Sequence, residues 1–178
     1  MGKIIKIVTT RFSNNTWKEN MDYLVKNKDI CCIYGSPQEM SPKILYDSIV
    51  FVIEMNNTIN QIEGIGLVKN RPFVDKYYSI YSEGNYNRFV YKSNYRIDRE
   101  SILRVDPMIV DILEYVVFKE KSHLKRGSGF TTITQELLKR KKSETYQNLD
   151  LHKIEKSITN CFKSVFSRNT HEETFITN

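Results

Sequence analysis

Apolar and polar residues alternate with period two from Lys3 to Thr9, in a run rich in Ile and Val, which predicts a strand. Ser13-Asn14-Asn15-Thr16 supplies helix N-cap candidates, and Glu19 stands three residues after Thr16 in capping-box spacing. Trp17, Met21, Leu24 and Val25 then recur at helical intervals, which predicts a helix over Trp17–Asn27. A second strand is expected over Asp29–Tyr34. It is followed by a long loop, Gly35 to Tyr46, punctuated by Gly35, Pro37 and Pro42. The stretch Asp47–Met55 is nearly continuously apolar at Ile49-Val50-Phe51-Val52-Ile53, the pattern of a strand buried on both faces. Asn56-Asn57 then turns the chain into a partner strand, Gln61–Lys69. Gly64 and Gly66 inside that strand predict a bulge or a close approach by backbone or ligand.

Tyr77–Ser82 and Arg88–Tyr95 are expected to pair as a second hairpin across Glu83-Gly84-Asn85. Asp98, with Ser101 beyond it, opens a helical stretch that breaks at Pro107 and resumes from Met108 to Tyr115. The character changes at Phe118. Lys119 to Gly129 is basic and glycine-bearing, Glu136–Lys142 ends in four consecutive cations, and Leu149–Phe166 is apolar at helical spacing. The expected architecture is therefore α+β: a β-rich region over residues 1–117, with a basic loop and helical extension over 118–178 packed on it. The last dozen residues are polar and expected to fray.

Composition narrows the function. At 178 residues and 40% apolar, the chain is long enough for a core without disulfide or metal staples. No apolar run approaches a membrane span, and the N-terminal alternation is unlike a signal peptide, so a soluble intracellular protein is expected. Lys+Arg 27 against Asp+Glu 21 leaves a formal charge of +6, which favours polyanionic partners such as RNA or DNA. Alanine is absent, pointing to an AT-rich genome such as that of a large DNA virus. Cys31, Cys32 and Cys161 fit no disulfide framework, and with His123, His152 and His171 scattered, no metal site and no cofactor are expected. Nor do the acidic residues pair, or any His, Ser or Cys fall in nucleophile spacing, so no catalytic residues are assigned.

Two segments carry nucleic-acid chemistry. Around the expected hairpin, Tyr77, Tyr78, Tyr81, Tyr86, Phe89, Tyr91 and Tyr95 are interleaved with Lys76, Arg88, Lys92 and Arg96, the pairing of stacking rings and phosphate-holding cations that suits a single strand or a flipped base. Further on, Ser122–Thr131 combines Lys125 and Arg126 with Gly127 and Gly129, and Thr131–Thr134 could open a helix whose N-terminus favours anions. Lys139, Arg140, Lys141 and Lys142 add a basic helix end. Phosphate contact is thus expected at Arg88, Lys92, Lys125, Arg126 and Lys139–Lys142.

Ile33-Tyr34-Gly35-Ser36-Pro37, Asp47-Ser48-Ile49-Val50-Phe51-Val52 and Glu63-Gly64-Ile65-Gly66-Leu67-Val68 resemble the core of the PUA-like superfamily, nearest to its EVE and YTH branches. The resemblance covers Lys3 to Ile102. It implies a small curved β-barrel with flanking helices, non-catalytic binding of nucleic acid, and recognition of a modified or flipped base. In YTH domains an aromatic followed by a small residue and Ser occupies the stretch matched by Tyr34-Gly35-Ser36. The cage there uses tryptophans, whereas this chain has only Trp17, so a cage here would use Tyr or Phe. The implied pocket is lined by Tyr34 and Ser36, by Gly64 and Gly66, and by aromatics from Tyr81, Tyr86 and Tyr91. The alternative is a viral structural or adaptor protein, whose basic surface contacts nucleic acid or acidic protein partners in an assembly.

Overall fold

The structure is a computed structural model that describes residues 5–175, with side chains through Ser167. In chain order the elements are β1 (Lys6–Phe12), α1 (Asn14–Lys26), β2 (Cys32–Ser36), β3 (Ile49–Asn56), β4 (Gln61–Lys69), β5 (Phe89–Ser93), β6 (Arg96–Asp98), α2 (Arg99–Val105), α3 (Pro107–Phe118), β7 (Thr131–Thr132), α4 (Gln135–Lys139) and α5 (Leu151–Phe175). The fold is mixed α and β.

Strand β3 explains the layering. Its side chains alternate between two cores: Val50 and Val52 face one, Phe51, Ile53 and Met55 the other. It pairs in parallel with β1 and antiparallel with β4, inside a five-stranded sheet ordered β6-β4-β3-β1-β7. On one face lie α1 and the β2–β5 pair, which bury Ile33, Tyr34, Val90 and Tyr91. The other face is covered by α2, α3 and α5, with Phe162 of α5 packed at 5.3 Å between ring centroids on Phe51. The segment beyond Phe118 therefore supplies both an edge strand and much of the cover on one face. Among the described residues the two sheets are separate ladders with no closed barrel, joined by Leu67 N–H donating to Tyr95 O at 2.9 Å.

Several expected elements appear with shifted ends. β1 runs to Phe12 rather than Thr9, and α1 is capped by Ser13, which accepts from the Thr16 N–H while the Thr16 hydroxyl accepts from the Ser13 N–H. Two hydroxyls complete the capping box, without Glu19. β4 spans Gln61–Lys69 as read, and both outcomes expected of its glycines occur. The register slips between Glu54 and Met55, leaving Glu63 as the extra residue of a bulge, and the Gly66 backbone lies directly against the Tyr34 ring. Asp98 caps α2 by accepting from Ser101 N–H, and Pro107 opens α3.

The second hairpin is not formed. Tyr77–Ser82 is irregular, and β5 pairs with β2 instead. The physical reason is Asn87: its side-chain oxygen accepts from the N–H groups of Ile80 and Tyr81, and its amide donates to Tyr81 O, so those backbone groups need no partner strand. Tyr78, Ile80 and Tyr81 then plug into the core. The helix expected to open within Thr131–Thr134 does so at the last of these residues. Thr131 and Thr132 pair with β1, and Thr134 caps α4. The last dozen residues, expected to fray, instead continue α5 as far as Phe175, and residues 176–178 lie outside the described residues.

Candidate functional site

A cavity of about 460 Å³ opens where the C-terminal end of β1 meets the first turn of α1. That volume is in the range of small-ligand sites. Its walls come from Thr10–Ser13, Asn15, Thr16 and Glu19 on one side, Gly35, Tyr81 and Tyr86 on another, and Asn57, Lys125 and Gly127–Gly129 on the third.

Each wall is held by identifiable contacts. Tyr81 is buried, with its hydroxyl accepting from the Asn20 side-chain amide at 2.9 Å, and its ring lies edge-on to Tyr86 at 6.4 Å. Burial pushes the Tyr81 pKa well up, so it stays neutral. Position 35 must be glycine, since a Cβ there would sit 2.0 Å from Tyr86 O; this close approach seats the Tyr81–Tyr86 segment on β2. Glu19 Oε1 accepts from Ser82 N–H at 2.9 Å and ties α1 to the same segment.

Arg11, absent from the sequence-based site, organises the third wall. Its Nε donates to Leu124 O at 2.5 Å, Nη1 to Gly129 O at 3.1 Å and Nη2 to Thr131 Oγ1 at 2.6 Å. Burial lowers its pKa from the ordinary arginine value, and all three acceptors are uncharged. Gly127 and Gly129 adopt φ of +96° and +70°, which lets the loop fold back around that guanidinium. Asn57 Nδ2 donates to Lys125 O at 2.9 Å, and its Oδ1 is buried with no hydrogen-bond partner. Phe130 closes the loop against the core, edge-on to Tyr91 at 5.2 Å.

The structure thus brings together Tyr81, Tyr86 and Lys125 at one cavity, and it separates the other expected pocket residues from it. Tyr34 is buried under the sheet, its hydroxyl donating to Glu54 Oε1 at 2.6 Å. Ser36 is buried and spends its hydroxyl on Gln38 O, at 2.5 Å. Gly66 makes room for the Tyr34 ring, and Gly64 for Ile97 O and Arg96, so neither lies open to a ligand. Tyr91 is a core ring whose hydroxyl accepts from Met40 N–H at 3.1 Å. The reason is burial: β2 is covered along its whole length, β4 from Gly64 to Gly66 and β5 at Val90 and Tyr91, so none of these residues faces an opening.

The cations divide likewise. Arg126 is exposed beside the cavity but off its wall, and Arg88 and Lys92 lie on a different face. Lys139, Arg140 and Lys142 are exposed, whereas Lys141 is buried, donating to Lys119 O and Ser122 O with its ammonium over the Tyr115 ring. The tetrad therefore offers three exposed cations, of which Lys139 and Arg140 lie near Glu136, and one structural one. Arg96, counted with the hairpin cations, is bound to Glu54. Among the described residues no group of three or more His, Cys, Asp or Glu side chains is placed to hold a metal ion, and no helix is long and apolar enough to cross a membrane.

No family model, curated protein or solved structure matches this chain at a significant level.

Proposed function

We propose that this chain is a non-catalytic nucleic-acid-binding module that takes one unstacked base into the cavity beside Tyr86. The carrying observation is the convergence of the Tyr81–Tyr86 aromatic wall with the Lys125–Gly129 loop on one opening. An unstacked base needs a ring to lie on and a cation with flexible backbone for its phosphate. Thr10, Ser13, Thr16 and Asn57 add donors and acceptors for a base edge. The resemblance to EVE and YTH domains supports the same reading, with the pocket moved from Tyr34 to Tyr86, and a PUA-like origin for the β1–β6 region goes with it.

The test is fluorescence anisotropy with labelled single-stranded RNA and DNA, each carrying unmodified or methylated bases. Tyr86→Ala should weaken the preferred oligonucleotide by about 1–3 kcal/mol. Lys125→Glu with Arg126→Glu should weaken all of them alike and flatten the salt dependence. Unchanged affinity in both variants would leave the cavity without a base-reading role.

A further inference from the structure

The face that carries Arg88 and Lys92 is not part of the cavity, yet it borders it. Tyr86 and Glu83 line the cavity, while Gly84, Asn85 and Arg88 line the next groove, so the Gly84–Asn87 turn is a ridge between the two. That groove, with Lys76 and Tyr77, meets a second groove at Phe73, which lies on the wall of both. The second runs on past Lys69, Arg71 and Lys92 to Tyr95.

Along this band aromatic faces and cations alternate in the open. Tyr77 is 68% exposed, Tyr95 54% and Phe73 37%. Lys92 Nζ stands 4.8 Å from the Phe73 ring centroid and 5.0 Å from that of Tyr78, and Lys76 Nζ stands 5.1 Å from the latter. The acids on the band are engaged: Asp75 accepts from the Tyr78 hydroxyl at 2.7 Å, and Asp47 pairs with Arg71 at 3.6 Å. Among the described residues no carboxylate stands within 4 Å of the Lys69, Lys76, Arg88 or Lys92 charge, although Asp75 is close enough for Lys76 and Lys92 to help lower its pKa.

We infer that this band is a track for single-stranded nucleic acid, carrying the nucleotides that flank the base held in the cavity. The inference rests on the base-cavity reading for its direction, but its own residues are separate. Exposed rings stack on unpaired bases and the cations between them hold phosphates, whereas a duplex keeps its base faces stacked inside. An acidic peptide added as a strand has less to hold. The outer edge of β5 is already bridged at Val90, whose carbonyl accepts from Phe73 N–H at 2.8 Å.

The experiment compares a labelled single-stranded trinucleotide with a 15-nucleotide strand of mixed sequence, each as RNA and as DNA. Wild type is set against Tyr77→Ala, Lys76→Glu/Arg88→Glu and Tyr86→Ala, with folding checked by circular dichroism. The expected result is that the longer strand loses at least about tenfold in affinity in the first two variants, while the trinucleotide is unaffected. In the double charge variant, the slope of log affinity on log salt should become shallower by about 1.4, from about 0.7 per lost phosphate contact on a single strand. Equal loss for both lengths, or none for either, overturns the track. So does tighter binding of the same sequence as duplex, or displacement of the longer strand by polyglutamate at lower concentration than by unlabelled strand. Tyr86→Ala separates the two readings. If it is silent while Tyr77→Ala weakens the longer strand, the track stands and the base cavity falls; the converse keeps the cavity and removes the track.

Discussion

The Tyr34 hydroxyl donates to Glu54 Oε1 at 2.6 Å, across a gap that exists because residue 66 has no side chain. A Cβ at Gly66 would lie 2.1 Å from that hydroxyl oxygen. Arg96 completes the cluster from β6, with Nη2 at 2.7 Å from Glu54 Oε2. Strands β2 and β6 are thereby joined to one buried carboxylate on β3, beneath the β2–β5 pair, with Trp17 of α1 against Arg96 at 5.6 Å.

Gly66→Ala should destabilise the protein by at least about 2 kcal/mol, because a buried ring must shift to admit the methyl group. Tyr34→Phe alone should cost about 1–3 kcal/mol by leaving Glu54 one donor short. The two changes should couple, since removing the hydroxyl removes the nearest clash. Urea unfolding of both single variants and the double would measure this. A double variant equal to the sum of the singles would mean that the contact does not determine residue 66.

Removing one partner of the ion pair should be worse than removing both. Arg96→Met leaves the Glu54 carboxylate, 1% exposed, with only Tyr34 as donor, and should cost about 3–5 kcal/mol. Arg96→Met with Glu54→Gln should recover a large part of that loss. The comparison of the single and double variants decides whether the pair is held for stability or for the alignment of β6.

Arg11→Ala should release the loop from Leu124 to Thr131 without unfolding the sheet. Three hydrogen bonds from one guanidinium tie it to β1 ahead of the Thr131–Thr9 pairing, and the glycines at 127 and 129 give it no stiffness of its own. Limited trypsin digestion should cut after Lys125 or Arg126 many times faster in the variant, at unchanged circular dichroism. Arg11→Lys should behave like Arg11→Ala, because an ammonium cannot reach acceptors arranged for a planar fork. Equal cleavage rates in wild type and variant would show that Phe130, the Asn57–Lys125 hydrogen bond and the Thr131–Thr9 pairing anchor the loop without Arg11.

The sequence pattern exposed the fold's regular parts and hid its irregular ones, for a definable reason. β3, β4, α1 and the break at Pro107 were legible because periodicity and capping act through neighbours along the chain. The false hairpin had the right strand composition, but Asn87 satisfies the backbone of Ile80 and Tyr81 from a distance of six or seven residues, and no local pattern announces that. At the site, Tyr81, Tyr86 and Lys125 were identified by residue type. Tyr34 was not placed correctly, because its partner Glu54 is twenty residues away and an apolar strand gives no sign of a buried carboxylate. Arg11 was invisible for the same reason: its partners lie more than a hundred residues along the chain.

Alkaline pH should unfold this protein through groups that are buried neutral. Burial pushes Cys32 up to about 11, and it raises Tyr34 and Tyr81 well above the ordinary tyrosine value, with the Glu54 charge adding to each. In the unfolded chain a thiol ionises near about 8.5 and a phenol near about 10. Between those values and the folded ones, the unfolded state binds fewer protons, so stability falls as pH rises. Lys141 acts in the opposite sense, since its burial lowers its pKa and the unfolded chain then holds that proton longer. Burial raises Cys161, Tyr78, Tyr91 and Tyr115 in the same sense, so the groups that cost stability as pH rises outweigh Lys141, and the decline steepens above about pH 10. Urea unfolding at a series of pH values from about 7 to about 11 should show a plateau followed by that decline. Tyr81→Phe should start from a lower plateau, because Asn20 loses an acceptor, and then fall less steeply by about one proton. A stability that stays flat through about pH 11, or a Tyr81→Phe slope equal to wild type, would mean that these hydroxyls titrate as freely in the folded protein as in the unfolded chain.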